Sequence, residues 1–287
     1  AEGSFNPFNP FNQDLTWGTQ IRTFEFGNRI YENDNDAFNA TLGIEFADIA
    51  DTSWSIDGAL RYSIIEENFF TRQISISRFN RILDANDSFF DPNSSDYVGT
   101  TQPYNPFGYF RNPIPNNTLV APNAIVETNN YSTSEIQAAD LLITNPEFVE
   151  MGAGPVGFAF GVDWRHERIY QNPDAIAQQG DIMGSSPRAV TRADRQINGF
   201  FAEFEVPLVN PDSGIPGLYK LDTTVAGRFE RFTTSGRDTF VPKLSARWMP
   251  LDESILIRGT WQESYCEPSL FQLFSGPSRG LLNLFNP

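Results

Sequence analysis

Apolar and polar residues alternate with a period of two along most of this chain, and that period decides the backbone before any other feature does. Phe200, Ala202, Phe204 and Val206 fall on one side of an extended segment, with Gly199, Phe201, Glu203 and Glu205 on the other. Tyr219, Leu221, Thr223, Val225, Gly227 and Phe229 alternate with Lys220, Asp222, Thr224, Arg228 and Glu230. Leu244, Ala246 and Trp248 oppose Lys243, Ser245 and Arg247, and Ile255, Ile257 and Trp261 oppose Arg258, Thr260 and Gln262. The first half repeats the rhythm at Phe38–Phe46, Trp54–Ile64 and Phe158–Trp164. These segments read as strands with one apolar and one strongly polar face. No apolar run is long enough for a membrane-spanning helix. Alternation also explains how a chain with 26 Phe keeps a mean hydropathy of −0.35.

The pattern predicts about nine antiparallel strands. Short connections fall near Asp48–Thr52, Pro146–Pro155, Asn210–Pro216 and Pro250–Glu253. More variable ones fall at Asn33–Asp36, Glu66–Asn130, Gln171–Arg188 and Thr234–Asp238. Short turns on one rim and longer loops on the other are the rhythm of an up-and-down transmembrane β-barrel. The strands are expected to run roughly 10 to 15 residues, longer than is usual in globular sheets. Phe46, Trp54, Tyr219, Phe229, Trp248 and Trp261 lie near strand ends, as in an interfacial aromatic girdle. A soluble β-sandwich alternates in the same way, so it stands beside the barrel on pattern alone.

Charge narrows the function. Asp+Glu number 36 against 20 Lys+Arg, for a net charge of −16, which excludes a nucleic-acid binder that must neutralise phosphates. The single cysteine, Cys266, permits no internal disulfide, and the single histidine, His166, has no identifiable nucleophile partner. No enzyme, cofactor or metal site is expected. Gly152-Ala153-Gly154-Pro155-Val156-Gly157 matches a dinucleotide fingerprint in form, but a strand follows it where a helix would have to open, so a hairpin turn is the reading. Asp84, Asn86, Asp87, Asp91 and Asp96 lack the spacing of a calcium loop and read as a solvated acidic loop.

An ordered series of segments resembles the barrel of TonB-dependent outer-membrane receptors. It comprises Phe200–Leu208 (FFAEFEVPL), Leu221–Arg231 (LDTTVAGRFER), Val241–Trp248 (VPKLSARW), Leu256–Trp261 (LIRGTW) and Glu267–Phe274 (EPSLFQLF). Gly152–Gly161 leading to Trp164-Arg165, and the Asn-Pro-Phe repeats at Asn6 and Asn9, are similar too. Tyr265-Cys266-Glu267 departs from the family, which usually has a small apolar residue and often an arginine there.

The resemblance implies an all-β fold in which residues 1–287 form part of one barrel domain of a probable 22 strands. The plug domain and the remaining strands are expected to lie outside this chain. It implies energised uptake across the bacterial outer membrane, with outer-membrane lipid, the receptor's own plug and the TonB–ExbB–ExbD system as partners. A siderophore, a cobalamin-like ligand or an oligosaccharide would be the cargo. Substrate would meet the loops Glu66–Asn130 and Gln171–Arg188, with Phe89, Phe90, Tyr97, Tyr104, Phe107 and Tyr109 as candidates, beside Phe69, Phe70 and Phe110. Glu203, Glu205, Arg228, Glu230, Arg247 and Arg258 are candidates for the lumen face, where they pair across strands or touch a plug or a passing substrate. The alternatives are a passive porin, or a soluble secreted β-sheet binding protein.

Overall fold

Antiparallel strands follow one another in simple chain order in the computed structural model, which describes residues 6–11, 24–107 and 114–276. They are β1 (Tyr31–Phe46), β2 (Ser55–Ile74), β3 (Ile125–Met151), β4 (Gly154–Asn172), β5 (Thr191–Val209), β6 (Lys220–Phe232), β7 (Arg237–Met249) and β8 (Ile257–Gln262). Each pairs with the next, so β1 and β8 are the open edges of one eight-stranded sheet among the described residues. An open meander of this length has two unsatisfied edges, as a barrel wall that has not closed does.

The strand count is eight among the described residues rather than nine. Asn33–Asp36 is not a connection but lies inside β1, paired in register with Glu66–Phe69 of β2. The expected turn at Pro146–Pro155 narrows to residues 152–153, because β3 runs past Pro146 through a register shift between Asn145 and Val149. An irregularity of this kind lets a strand carry a proline without losing its partner. The turn itself is the glycine-rich hairpin expected at Gly152–Gly157.

Connections at one rim are short: residues 47–54, 152–153, 210–219 and 250–256. The opposite rim carries residues 75–124, 173–190 and 233–236. The large connection is therefore 75–124 rather than 66–130, and Phe69 and Phe70 belong to β2. It folds on itself through α1 (Ile76–Leu83) and α2 (Pro115–Val120), with 3-10 turns at Ser88–Phe90 and Ala121–Ala124. The next long connection holds α3 (Ala175–Gln179), and α4 (Leu270–Phe274) follows β8.

The main buried core lies in this loop region, not in the sheet. Phe26, Phe79, Ile82, Phe90, Tyr104, Val120, Ala121 and Ala124 form it. The helix α1 begins where the Ser75 hydroxyl accepts from the Arg78 N–H, and it turns Phe79 and Ile82 inward.

Candidate functional site

Strand register sorts the side chains onto two faces. On one, Phe38, Leu42 and Ile44 of β1 stand beside Ile64, Leu60 and Gly58 of β2. The row continues through Leu141 and Ile143, Phe160 and Val162, Phe200 and Phe204, Phe229 and Val225, then Phe240 and Leu244, to Trp261 on β8. A β-sandwich would bury this face under a second sheet, yet Leu42 is 69% and Leu60 58% exposed. From Phe38 to Phe46 the apolar stretch is about 27 Å along the strand. A tilt of about 40° makes that about 21 Å of height, close to the lipid-facing band of outer-membrane barrels. At the short-turn rim Trp54, Phe148, Phe158 and Phe204 form an aromatic cluster with ring centroids 5.1–6.2 Å apart. Toward the other rim Phe200 stacks on Phe229 at 5.5 Å.

The opposite face is polar and is laced with ion pairs. Arg228 of β6 reaches Asp163 of β4 and Glu230 of its own strand, each at 2.8 Å. The first of these contacts passes over β5 at Gly199, where a Cβ would collide with the Asp163 carboxylate. Lys243 of β7 reaches Glu203 of β5 at 3.1 Å, again across one strand. Arg61 pairs with Asp140. Arg195 holds Glu167 at 2.7 Å and Glu267 at 3.1 Å, and also donates to the Pro268 carbonyl, fastening the segment after β8 onto this face. Leu270 of α4 is buried there.

A continuous apolar outer belt with an ionic inner face is what a chain needs to stand between lipid and a wet interior. The TonB dependent receptor-like, beta-barrel family matches residues 2–286. This chain belongs to the TonB-dependent receptor β-barrel family. No curated protein matches it. Receptors of this family are transporters rather than enzymes; they lie in the bacterial outer membrane, enclose a plug domain and work with the TonB system.

The six expected lumen residues of the receptor all lie on the polar face, but they divide. Glu203, Arg228 and Glu230 are paired. Glu205, Arg247 and Arg258 have no ion-pair partner among the described residues. Asp163, on the polar side of the Phe158–Trp164 alternation, is the partner of Arg228, and Arg195, Glu167 and Glu267 form a further linked group; none of the four is among the expected lumen residues. Period two continued along β4 and β5 puts Glu167 and Arg195 on this face as well; Glu267 gives no such signal.

The loop candidates divide as well. Phe90 and Tyr104 are core residues, 4% and 1% exposed, and Phe89 packs against that core with the Arg81 guanidinium 3.7 Å over its ring. Tyr97 and Phe107 are exposed. Tyr109 lies outside the described residues, as does Phe110. The Tyr104 hydroxyl donates to Glu25 at 3.0 Å; burial and then the neighbouring carboxylate push its pKa far up, so it stays a donor. Asn117 pairs through both ends of its amide with the Asn105 backbone, each bond 2.8 Å. In the acidic stretch, Arg81 stands between Asp87 at 3.0 Å and Asp96 at 3.2 Å.

The two long loops are joined. The Asp181 carboxylate accepts from the Ser75 hydroxyl at 2.6 Å, the Ser77 N–H at 2.6 Å and the Ser77 hydroxyl at 2.7 Å. Two backbone bonds flank the clamp, Ile76 N–H to the Asp181 carbonyl and Met183 N–H to the Ile74 carbonyl. Beneath it, toward the polar face, a cleft of about 650 Å³ is lined by Glu67, Phe69, Asn130, Gln171, Arg188 and Phe271 among others. Phe69, read from sequence as part of the loop, is thus a wall residue of that cleft.

Proposed function

We propose that this chain supplies part of the wall and outer vestibule of a receptor for TonB-dependent uptake of a large or scarce nutrient: a siderophore, a cobalamin-like ligand or an oligosaccharide. The observation that carries the reading is the apolar belt crossing all eight strands, backed by a charged inner face, in a chain of this family. Substrate meets the long-loop rim first. Tyr97 and Phe107 offer exposed aromatic surface there, and the cleft below offers Phe69 and Phe271 beside amide, carboxylate and guanidinium groups. Such a lining holds polar ligands through hydrogen bonds while rings cover their apolar faces. Glu203, Glu205, Arg228, Glu230, Arg247 and Arg258 line the lumen. Energy enters from the inner membrane through the plug, so the wall needs no catalytic group; the plug's two positions differ in free energy, and the TonB pull supplies the difference.

The test is uptake of candidate nutrients by cells bearing the receptor, with TonB intact and with TonB removed. Uptake that depends on TonB is the expected result. Equal uptake in both strains points instead to a passive porin. A protein recovered in buffer without detergent points to a soluble binding protein.

A further inference from the structure

Near the long-loop rim, four residues of the polar face stand in one register row: Glu67 of β2, Ser132 of β3, Gln171 of β4 and Thr191 of β5. All four line the 650 Å³ cleft, together with Phe69 and Phe271. A second space of about 180 Å³ shares Phe69, Asn130, Ser185 and Arg188 with it and adds Arg29 and Tyr31. Tyr31 stacks on Phe69 with centroids 6.1 Å apart and planes 22° apart, so the two spaces meet along an aromatic shelf. Glu67 accepts from the Ser132 hydroxyl at 3.0 Å and has no cation partner among the described residues. There, too, Arg29 and Arg188 have no carboxylate within ion-pair distance, and the Gln171 amide and the hydroxyl of buried Thr191 have no hydrogen-bond partner. Glu67 is the one carboxylate lining either space.

Carboxylates are not scarce in this chain, at 36 against 20 basic residues, and Arg61, Arg195 and Arg228 on the same face each reach one. Arg247 and Arg258 are open as well, but they lie at the opposite rim and line neither space. Two guanidiniums left open on one cleft present donor forks that match a ligand carboxylate in geometry as well as in sign. Glu67 narrows the choice further. It repels a compact ligand that is negative all round, and it accepts hydrogen bonds from hydroxyls. The amide and hydroxyls in its row both donate and accept, as a ligand rich in hydroxyls requires. The Tyr31–Phe69 shelf and Phe271 offer flat apolar surface to C–H faces. Two joined spaces of unequal size suit a short chain rather than a globe.

We propose that the joined spaces bind an acidic oligosaccharide, with a uronate carboxylate held by Arg29 and Arg188, sugar hydroxyls on Glu67, Gln171 and Thr191, and sugar C–H faces against the aromatic shelf and Phe271. The proposal rests on the uptake reading above and narrows its cargo to one class. The row lies on the polar side of the wall, so the sugar arrives from solution and not from the lipid around the barrel.

The experiment is isothermal titration calorimetry on the intact receptor purified in detergent. The probes are trisaccharides of galacturonate, mannuronate and glucuronate, the methyl ester of each, and ferric citrate. At least one free acid is expected to bind, and its ester to bind about tenfold more weakly or worse, the loss of one charge-assisted hydrogen bond. Arg29→Gln and Arg188→Gln should each close most of the gap between acid and ester, whereas Gln171→Ala should weaken both forms alike. Both arginines are exposed, and unchanged resistance of the barrel to unfolding in cold detergent verifies the fold of each variant. Equal binding of acid and ester overturns the proposal, as does an acid whose affinity ignores both arginine variants, or no binding of any acid. Ferric citrate bound more tightly than every acid, and lost in the same variants, assigns the cleft to a metal chelate and overturns it too. Uptake by cells separates the two readings. TonB-dependent uptake of another nutrient, with no acid bound, leaves the uptake reading standing without the acidic sugar, and uptake that ignores TonB takes down both.

Discussion

The barrel wall and the loop unit at residues 75–124 solve the burial problem in opposite ways. The wall exposes Phe38, Leu42, Leu60 and Phe240 at 58–69% and keeps its polar groups inward, so outside a membrane it is inside-out. The loop unit buries Ile82, Val120, Ala121 and Ala124 completely and keeps its charges outward, as a small soluble domain does. In a receptor of this family lipid meets the wall's apolar belt, whereas the loop unit is built as for water. The two regions should fail separately, and variants in one should leave the other standing.

The largest effect is expected in the loop core. Phe79 is buried against Phe26 and Tyr104, with centroids at 5.8 and 6.0 Å. Phe79→Ala should cost the loop unit about 3–5 kcal/mol. Limited proteolysis of the detergent-solubilised receptor should then cut within residues 75–124, while the barrel keeps its resistance to unfolding in cold detergent. Loss of both together would show that the loop unit is part of the barrel's own folding unit. The reverse experiment is Leu60→Arg, near the middle of the belt. A cation at that depth costs about 2–4 kcal/mol. It should lower barrel stability in lipid and leave the loop unit's protease resistance unchanged.

The same division explains what the sequence told and what it withheld. Within the belt each strand touches lipid on one side, so Phe200 to Val206 and Leu221 to Phe229 had to alternate, and their faces were legible residue by residue. Beyond the belt both sides of a strand meet water or loop, and alternation has no cause. Asn33–Asp36 of β1 and Glu66–Asn68 of β2 are polar on both faces, and they read as connections although they are paired. The first residues of β3 share this fate. Inside the loop unit, Phe90 sits in a three-residue 3-10 turn and Tyr104 in no regular element, so no period marks their buried side, and they looked like exposed aromatic tips when they are core. The inner-face pairs were legible by face but not by partner. Arg228–Asp163 and Lys243–Glu203 each span an intervening strand, and sequence spacing carries no signal for that.

A smaller effect tests whether the loop unit is tied to its neighbour. Asp181→Ala removes three accepted bonds and leaves the buried Ser75 hydroxyl with only its weaker contacts. That should cost about 1–3 kcal/mol of local stability, read as faster hydrogen exchange at residues 173–190 and little change in the 75–124 core. The clamp also has a pH signature. Burial pushes the Asp181 carboxyl up, but the Ser75 and Ser77 hydroxyls and the Ser77 N–H outweigh it and hold the pKa below the usual carboxylate value. A lowered folded-state value contributes stability that is complete above the unfolded value of about 4 and is lost as pH falls through the folded one. Exchange corrected for its intrinsic rate should therefore be flat from about pH 7 to about pH 5 and rise only in stronger acid. A rise near neutral pH would mean that another group holds the loops.

The smallest effect belongs to Arg61 and Asp140 on the polar face, where the side chains are 50% and 29% exposed. An ion pair this open to water contributes about 0–1 kcal/mol and weakens with salt. Arg61→Ala should shift barrel stability by less than the scatter between preparations. Arg195→Ala is its informative counterpart, because Arg195 is only 10% exposed and its partner Glu267 only 4%. Removing that guanidinium leaves the buried Glu267 carboxylate without its cation, while Glu167 keeps Arg165 at 2.8 Å, and the segment carrying α4 should come away from the wall. Protease cleavage between residues 263 and 276, seen with Arg195→Ala and not with Arg61→Ala, would place the difference in burial rather than in charge. Equal behaviour of the two variants would mean that the strap is held by Leu270 and the packing of Tyr265 on Phe232, at 5.6 Å, with its ion pairs contributing little.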